Sequence, residues 1–211
     1  MKPACATLTL SLLMVGLFLA AGCRFHPKPK PAAGNCLQGS LDFENPSPGG
    51  TFVVGTSYPD GTSIFNYQGL SAVVTSLAYP NGSVLFGQAM VVTNTPFPFG
   101  SGQMIQLGSA LVSFDLRQNT RKAVFEYLDR GGTINLSASS GPGVYVGNMW
   151  NMPTTSTING VTVTKTAVKS FFNPVGVKVA ESGTITLSLG HDIGSLRIGG
   201  SEMHLDNFCF N

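Results

Sequence analysis

Short apolar runs separated by turn residues dominate the chain from Gly39 onward. Residues 111–115 and 123–128 form apolar-rich runs, and apolar and polar residues alternate over 133–137. Alternation over five to eight residues is typical of strands that bury one face. No segment keeps a long helical period. The pattern therefore predicts an all-β domain.

Turn signals divide these runs at intervals of about 8 to 12 residues, which is typical of a β-sandwich or a β-barrel. Asn159-Gly160 lies between two strand-like runs and predicts a hairpin. The runs 175–180 and 184–189 predict a second antiparallel pair around a turn at 181–183.

The N-terminus has a different pattern. An uncharged, mostly apolar run from Ala4 to Gly22 follows Lys2 and ends in Leu-Ala-Ala-Gly-Cys. A basic start, an apolar middle and small residues before a break are typical of a secretory signal. With the cysteine at position 23, the segment resembles the lipobox of bacterial lipoproteins, with Ala20 where Leu is usual.

The lipobox resemblance implies that residues 1–22 are a signal peptide and that Cys23 becomes the lipidated first residue. An ordinary secretory signal cut nearby and an uncleaved anchor are the alternatives. Because the apolar run is short for a membrane span of about 20 residues, cleavage is favoured. Lipid attachment would make the membrane a partner of the protein.

Residues 23–34 contain alternating Pro and Lys, which predicts an extended tether between the lipid and a single domain at 35–211. In enterobacterial sorting an Asp directly after the lipidated cysteine retains a lipoprotein at the inner membrane. Arg24 holds that position here. The resemblance therefore implies a bacterial cell-envelope location, with the outer membrane favoured over the inner.

The charge of the chain differs between tether and domain. The chain has 12 Lys and Arg and 10 Asp and Glu, and four of the basic residues but no acidic residue precede Asn35. The domain thus has eight basic and ten acidic residues, a balance that argues against nucleic-acid binding, which requires a clustered positive face. Charged residues make up only 10% of the chain, which fits an extracytoplasmic β domain.

The cysteines connect the two ends of the domain. Cys5 lies in the signal and Cys23 is assigned to lipid, so Cys36 and Cys209 remain. Outside the cytoplasm such a pair predicts a disulfide, with two free thiols as the alternative. Closing a loop of about 170 residues would stabilise the fold by up to about 5 kcal/mol. It would also place the first and last strands side by side, as in an antiparallel β-sandwich of jelly-roll type.

The closing strand changes parity. Met203 and Leu205 occupy odd-numbered positions of the strand, whereas Phe208 and Phe210 occupy even-numbered positions. A regular strand cannot bury both pairs, because its side chains alternate between two faces. We therefore predict a β-bulge at Asp206-Asn207, which would turn the aspartate away from the core.

Phe43-Glu44 near the start, Gly-Gly-Ser-Glu at 199–202 and Leu-Asp-Asn-Phe at 205–208 resemble motifs of galactose-binding-like jelly rolls and related carbohydrate-binding modules. In those families a structural Ca²⁺ commonly lies beside the end strands. The resemblance implies Glu44 and Asp206 as metal ligands, with Asp42 as a further candidate. Carbonyls of 48–50 would complete an oxygen-rich site, and Ca²⁺ would relieve the repulsion between the carboxylates.

Sugar binding requires aromatic faces, and four residues are candidates: Trp150, the only tryptophan, with Tyr145, Tyr58 and Tyr79. The last two open similar segments that continue with Pro, then Asp or Asn, then Gly. We predict two equivalent hairpin turns there, and a matched pair of binding loops is a weaker interpretation. For Trp150 the alternative to an exposed platform is partial burial.

Catalytic motifs are absent from the sequence: it contains neither G-x-S-x-G nor H-E-x-x-H, and we predict no catalytic residues. Asp115, Glu126 and Asp129 could supply an acid/base pair, with solvated strand positions as the alternative. The leading hypothesis is a non-catalytic, lipid-anchored envelope protein that binds carbohydrate or a surface polymer. A structural or adhesion lipoprotein with a protein partner is the alternative, and a hydrolase is the third hypothesis.

Overall fold

The computed structural model describes residues 36, 39–44, 51–79, 81–93, 95–100, 102–139 and 141–211. The predicted signal peptide, the tether with Cys23 and the segment 48–50 lie outside the described residues. Within the described ranges, no helix is both long enough and apolar enough to cross a membrane.

The described residues form sixteen strands and one short 3₁₀ helix, η1. The elements are β1 Gly39–Leu41, β2 Ser57–Pro59, β3 Ser63–Tyr67, β4 Leu70–Ala78, β5 Val84–Leu85, β6 Gln88–Val92, β7 Met104–Gly108, β8 Ala110–Asp115, β9 Lys122–Asp129, β10 Ile134–Ala138, β11 Tyr145–Gly147, η1 Met149–Asn151, β12 Thr155–Ile158, β13 Val161–Phe172, β14 Lys178–Ser188, β15 Ser195–Gly200 and β16 Met203–Phe210.

The strands form two antiparallel sheets that pack as a sandwich. The first has nine strands in the order β12-β13-β14-β9-β16-β7-β6-β2, with β1 paired to β16. The second has seven in the order β11-β10-β15-β8-β4-β3, with β5 paired to β4. Leu41 of β1 lies opposite Phe208 of β16. The predicted fold, an antiparallel β-sandwich of jelly-roll type with adjacent first and last strands, is confirmed.

The predicted disulfide is also confirmed. Cys36 is bonded to Cys209 across 173 positions of sequence, and their Cα atoms are 5.2 Å apart. The bond ties the start of the domain to its last strand.

Phe208 lies at the centre of an aromatic core. Its ring centroid is 4.7 Å from that of Phe114, 5.0 Å from that of Phe125 and 6.2 Å from that of Phe43. The predicted bulge makes this possible, because the pairing of β16 with β9 shifts register between Asp206 and Cys209.

Two turn predictions have different outcomes. Asn159 and Gly160 adopt φ values of 51° and 81° in the hairpin between β12 and β13, as predicted. The predicted turn at 181–183 is wrong. Glu181-Ser182-Gly183 instead continues β14 and pairs with both β13 and β9. These polar residues can lie within a central strand because buried side chains of neighbouring strands donate hydrogen bonds to the carboxylate of Glu181.

The prediction of two equivalent hairpin turns is half right. The segment 79–83 joins the paired strands β4 and β5. The segment 58–62 instead carries the chain from β2 in the first sheet to β3 in the second. Gly61 and Gly82 have φ values of 80° and 81°, so the local turn chemistry is the same. The flanking strands differ, because β4 and β5 pair with each other whereas β2 and β3 lie in different sheets.

Three short connections between the sheets, at 108–110, 129–134 and 200–203, lie at one end of the sandwich, which we name the crossover end. The opposite end, where β9 begins and β16 finishes, is the disulfide end. A row of paired residues crosses the first sheet near the crossover end: Tyr58, Ala89, Leu107, Met203, Asp129 and Glu181.

Candidate functional site

Charged residues occupy core-facing positions at the crossover end. Lys165 of β13, Asp129 of β9 and Glu181 of β14 each continue the inward-facing apolar positions of their strand. Their exposed fractions are only 6%, 0% and 2%. Asp129 and Glu181 lie directly opposite each other in the strand register, so their Cβ atoms are roughly 5 Å apart.

Glu181 accepts three hydrogen bonds from side chains. The Nζ of Lys165 and the hydroxyl of Tyr127 donate to its Oε1 at 3.0 and 2.7 Å, and the Nζ of Lys178 donates to Oε2 at 2.6 Å. Burial alone raises the pKa of Glu181, but these bonds outweigh burial and hold the pKa below its usual value. Burial and the bond to Glu181 raise the pKa of Tyr127. Glu181 is therefore a buried, fully bonded carboxylate.

Asp129 binds the neighbouring main chain instead. Its Oδ1 accepts the N–H of Gly131 at 2.9 Å and its Oδ2 accepts the N–H of Met149 at 3.0 Å. Burial raises the pKa of Asp129 to about 6; these two bonds lower it in part, and the negative charge of Glu181 adds to the rise. The Nζ of Lys165 donates to the carbonyl of Met149 at 2.8 Å. Both the N–H and the C=O of Met149 are thus bound by this group.

We name Tyr127, Asp129, Lys165, Lys178 and Glu181 the charged cluster. Residues 148–151, the cover segment, lie over it. Asn148 caps η1 by accepting the N–H of Trp150 at 3.1 Å. Trp150 is half-buried, and the Nζ of Lys178 lies 5.3 Å from its ring centroid.

Glycine at position 131 permits the close approach of the indole. A Cβ there would lie 3.2 Å from Cη2 of Trp150, and the backbone has φ +100°. Trp150 therefore packs against the connection that follows Asp129, and its own ring helps to close the end of the sandwich.

The structure places the other aromatic candidates at the same end. The hydroxyl of Tyr145 donates to the carbonyl of Asn148 at 2.7 Å. The hydroxyl of Tyr79 lies 2.9 Å from Oγ of Ser201, in the connection between β15 and β16. Tyr58 lies in the row that contains Asp129, four strand spacings away, or about 19 Å. Tyr79, Tyr145 and Trp150 are thus grouped, whereas Tyr58 lies on the edge strand β2 of the first sheet.

The acidic residues of the end strands converge on one glycine-containing segment. Oε1 of Glu44 accepts the N–H of Gln103 at 2.9 Å, and a Cβ on Gly102 would overlap that oxygen. A Cβ on Gly100 would lie 2.9 Å from Oδ2 of Asp206, which is fully buried. Glu44 therefore lies against Gly102 and Gln103, and Asp206 lies against Gly100.

The remaining acid, Asp42, supports this arrangement, because its Oδ1 accepts the N–H of Glu44 at 3.2 Å. The described ranges contain no group of three or more His, Cys, Asp or Glu residues that could hold a metal ion. A cation between Glu44 and Asp206 would therefore need main-chain carbonyls as further ligands. Two carboxylates beside a glycine-containing loop fit the hard oxygen donors that Ca²⁺ takes.

The three acids considered as an acid/base pair do not meet. Asp115 is exposed at the end of β8, in the second sheet. Glu126 faces outward from β9, where its Oε2 accepts a hydrogen bond from Nδ2 of Asn207 at 3.0 Å. Asp129 faces inward from the same strand. For Asp129 the interpretation as a solvated strand position is wrong, because its inward parity buries it completely.

Four members of the charged cluster were not recognised in the sequence: Tyr127, Lys165, Lys178 and Glu181. The signal that could have found two of them is parity. Lys165 and Glu181 fall on the positions that their strands otherwise fill with Val, Ile and Leu. A charged residue at a strand position that otherwise carries apolar side chains indicates a buried ion pair, provided that oppositely charged partners lie on neighbouring strands.

Comparison with protein-family models and with curated proteins finds no match to this chain.

Proposed function

We propose that this chain is a lipid-anchored protein of the bacterial cell envelope whose β-sandwich binds carbohydrate or a surface polymer through its crossover end, without catalysis. One observation supports this most strongly. Three of the four aromatic residues selected as sugar contacts, Tyr79, Tyr145 and Trp150, lie together at that end, and Tyr58 lies at the same end about 19 Å from Asp129.

The position of the disulfide supports a particular orientation of the sandwich relative to the membrane. Cys209 follows Met203 by six residues along β16, or roughly 20 Å at the usual rise of a strand. The tether precedes Cys36, which is bonded to Cys209. A lipid on Cys23 would then leave the crossover end facing away from the membrane, where it can meet a polymer.

The chemistry of the crossover end fits a neutral polyol. Aromatic rings provide amphipathic surface, and the hydroxyls of Tyr79 and Ser201 with the exposed amide of Asn151 provide neutral hydrogen-bonding groups. The carboxylates of Asp129 and Glu181 are buried and bonded to protein donors. This arrangement supports binding rather than hydrolysis.

Binding to immobilised envelope polysaccharides and to a glycan array tests the proposal. Trp150→Ala and Tyr79→Ala should each weaken binding about tenfold, as expected for loss of one aromatic contact. Tyr67→Ala is the matched control, since this exposed tyrosine ends β3 away from the crossover end. Failure of the wild-type domain to bind any glycan would refute the proposal.

A second candidate function is adhesion or assembly with a protein partner. It is favoured by exposed apolar side chains on two turns of the crossover end: Phe86 is 75% exposed, Phe172 61% and Val175 81%. A photocrosslinking residue at Val175 should then capture one defined envelope protein. The same residue at Val144, 51% exposed on the chain before β11, should not.

The proposed lipid is tested by replacing its attachment site. Cys23→Ser should abolish acylation, measured by incorporation of labelled fatty acid, and should move the protein from the detergent phase to the aqueous phase. Equal labelling of the variant would contradict lipidation at this position.

Ca²⁺ is proposed as a structural ion held by Glu44 and Asp206, with Asp42 nearby. When bound, it would neutralise the carboxylates and join the end strands to residues 100–103. A chelator should then lower the melting temperature, and added Ca²⁺ should restore it. Glu44→Gln should remove the response, whereas Glu202→Gln, at a side chain 58% exposed, should keep it.

A further inference from the structure

The hairpin formed by β13 and β14 projects beyond its neighbours at the crossover end. β14 pairs with β9 only as far as Glu181, and β12 pairs with β13 only over 161–164. From Glu181 outward, the two strands therefore pair only with each other among the described residues. Lys178 lies three residues beyond Glu181, roughly 10 Å at the usual rise of a strand, and the turn 173–177 extends farther still. We name residues 172–177 the hairpin tip.

The hairpin tip carries three exposed apolar side chains and no charge. Val175 is 81% exposed, Phe172 61% and Val177 57%. The sequence contains no charged residue from position 170 to position 177. Apolar side chains that project together into water at the end of a hairpin indicate an interaction site.

The main-chain N–H groups of the turn are bound within the tip itself. Oδ1 of Asn173 accepts the N–H of Val177 at 2.9 Å and that of Val175 at 3.1 Å. The carbonyl of Asn173 accepts the N–H of Gly176 at 2.9 Å, and its own N–H donates to the carbonyl of Val177 at 2.9 Å. The remaining residue, Pro174, has no N–H. A tip whose donors are already bound fits lipid, because acyl chains offer no acceptor, whereas a protein partner could supply one.

The residues below the tip match the headgroup region of a bilayer. The first charged residues on either strand are both cations, Lys169 and Lys178. Lys169 is exposed and precedes Phe172 by three residues, or roughly 10 Å. An apolar surface at a bilayer interface lies about 5–10 Å deep, so an inserted tip would bring these lysines level with the phosphates. The half-buried ring of Trp150, 5.3 Å from the Nζ of Lys178, would lie at the same level, where amphipathic rings are favoured.

We propose that the hairpin tip inserts into the interface of a phospholipid bilayer that faces the crossover end, as a lipid contact separate from the proposed anchor at Cys23. Insertion is shallow, because among the described residues no donor binds the carbonyls of 174–176, which therefore stay within reach of interfacial water. The affinity of the tip for lipid goes beyond the proposed function and is a property of the domain. Only the orientation of the domain toward that bilayer rests on the proposed anchor.

An environment-sensitive fluorescent amino acid in place of Val175 tests insertion directly. The full chain with Cys23→Ser, which lacks the proposed acylation site, is mixed with vesicles of equal parts phosphatidylcholine and phosphatidylglycerol. We expect the emission to shift to shorter wavelength and to be quenched by brominated acyl chains. The same amino acid in place of Val144, 51% exposed on the chain before β11, should respond to neither. No response at position 175, or an equal response at position 144, would overturn the proposal.

Partition onto the same vesicles, measured by co-sedimentation, tests which groups carry the affinity. Phe172→Ser and Val177→Ser should each lower the partition constant about tenfold, whereas Val144→Ser should leave it unchanged. Asn173→Ala should also weaken partition, although it makes the tip more apolar, because it leaves two N–H groups unbound. Equal partition of Phe172→Ser and the parent protein, at unchanged melting temperatures, would contradict insertion.

A photocrosslinking residue in place of Val175 distinguishes lipid from protein. In envelope preparations a phospholipid adduct supports the proposal. A protein adduct without any phospholipid adduct overturns it in favour of the second candidate function. The vesicles contain no glycan, so failure of the vesicle tests and failure of the glycan tests are separate outcomes.

Discussion

Removing the buried lysine of the charged cluster should be one of the most damaging single changes outside the aromatic core. Lys165→Met keeps most of the aliphatic volume but removes two bonds from a buried ammonium, to the carbonyl of Met149 and to Oε1 of Glu181. Hydrogen bonds to a charged group contribute about 1.5–3 kcal/mol each. Breaking a buried ion pair from one side typically costs about 3–5 kcal/mol.

Glu181 would retain its bonds to Lys178 and Tyr127, so we expect the lower part of that range, about 3 kcal/mol. For a domain of this size that loss corresponds to a melting temperature lower by roughly 10 °C. The measurement is urea unfolding at pH 7 with the disulfide intact, followed by the fluorescence of Trp150. Lys169→Met, at an exposed lysine of the same strand, is the control and should stay within about 0.5 kcal/mol of wild type.

The double variant Lys165→Met, Glu181→Leu tests the reason for the loss. If the cost comes from an uncompensated buried carboxylate, removing that carboxylate should recover at least half of the lost stability, because an apolar replacement of a buried pair is often nearly neutral. A loss below about 1 kcal/mol for Lys165→Met alone would refute the reasoning, since it would mean that water solvates Glu181 as well as the ammonium does.

Three further outcomes are expected. His204 is buried with its pKa lowered to about 4, so its contribution to stability is present above pH 6.5 and is lost as the pH falls toward 4; His204→Gln should remove about 2 kcal/mol of that acid destabilisation, measured by urea unfolding at pH 7 and 4.5. Asn207 adopts φ 53° in the bulge and donates to Glu126, so Asn207→Val should lower the unfolding free energy by about 2 kcal/mol and Asn207→Gly by clearly less. A Cβ on Gly199 would overlap the main chain of β8, so Gly199→Ala should cost about 3 kcal/mol in thermal unfolding, whereas Gly190→Ala, with open space around it, should be nearly neutral.

The strands that could be predicted from the sequence are those in which apolar residues recur at every second position, because that local alternation shows which face is buried. The runs at 111–115 and 123–128 are strands, and the change of parity before Phe208 located the bulge at Asp206-Asn207. Side chains alternate along a strand whatever its neighbours are, so a disruption of that alternation can be read without knowing the fold. The pairing of Cys36 with Cys209 likewise followed from the number of cysteines and the expected compartment.

The misread segments are those whose environment comes from distant strands. Residues 181–183 look like a turn because they are polar, yet Glu181 is held by Lys165 and Tyr127 from the two strands beside β14. Residues 58–62 have the local chemistry of a hairpin, but β2 and β3 belong to different sheets. At 181–183 the local polarity indicated a turn where the chain continues as a strand, whereas at 58–62 the local turn is present but does not join paired strands. In both cases the outcome depends on distant strands that the local segment does not specify.

The sequence by itself determined an all-β domain closed by a terminal disulfide, since periodicity, turn residues and cysteine count are local or additive properties. Only the tertiary structure decided that Asp129, Lys165 and Glu181 meet beneath Trp150. They come from three strands separated by many residues, and the order of strands in a sheet follows from how the whole core packs, which no single segment encodes. The same packing raises the pKa of Asp129, because removal from water and the facing carboxylate exist only once the sheets close.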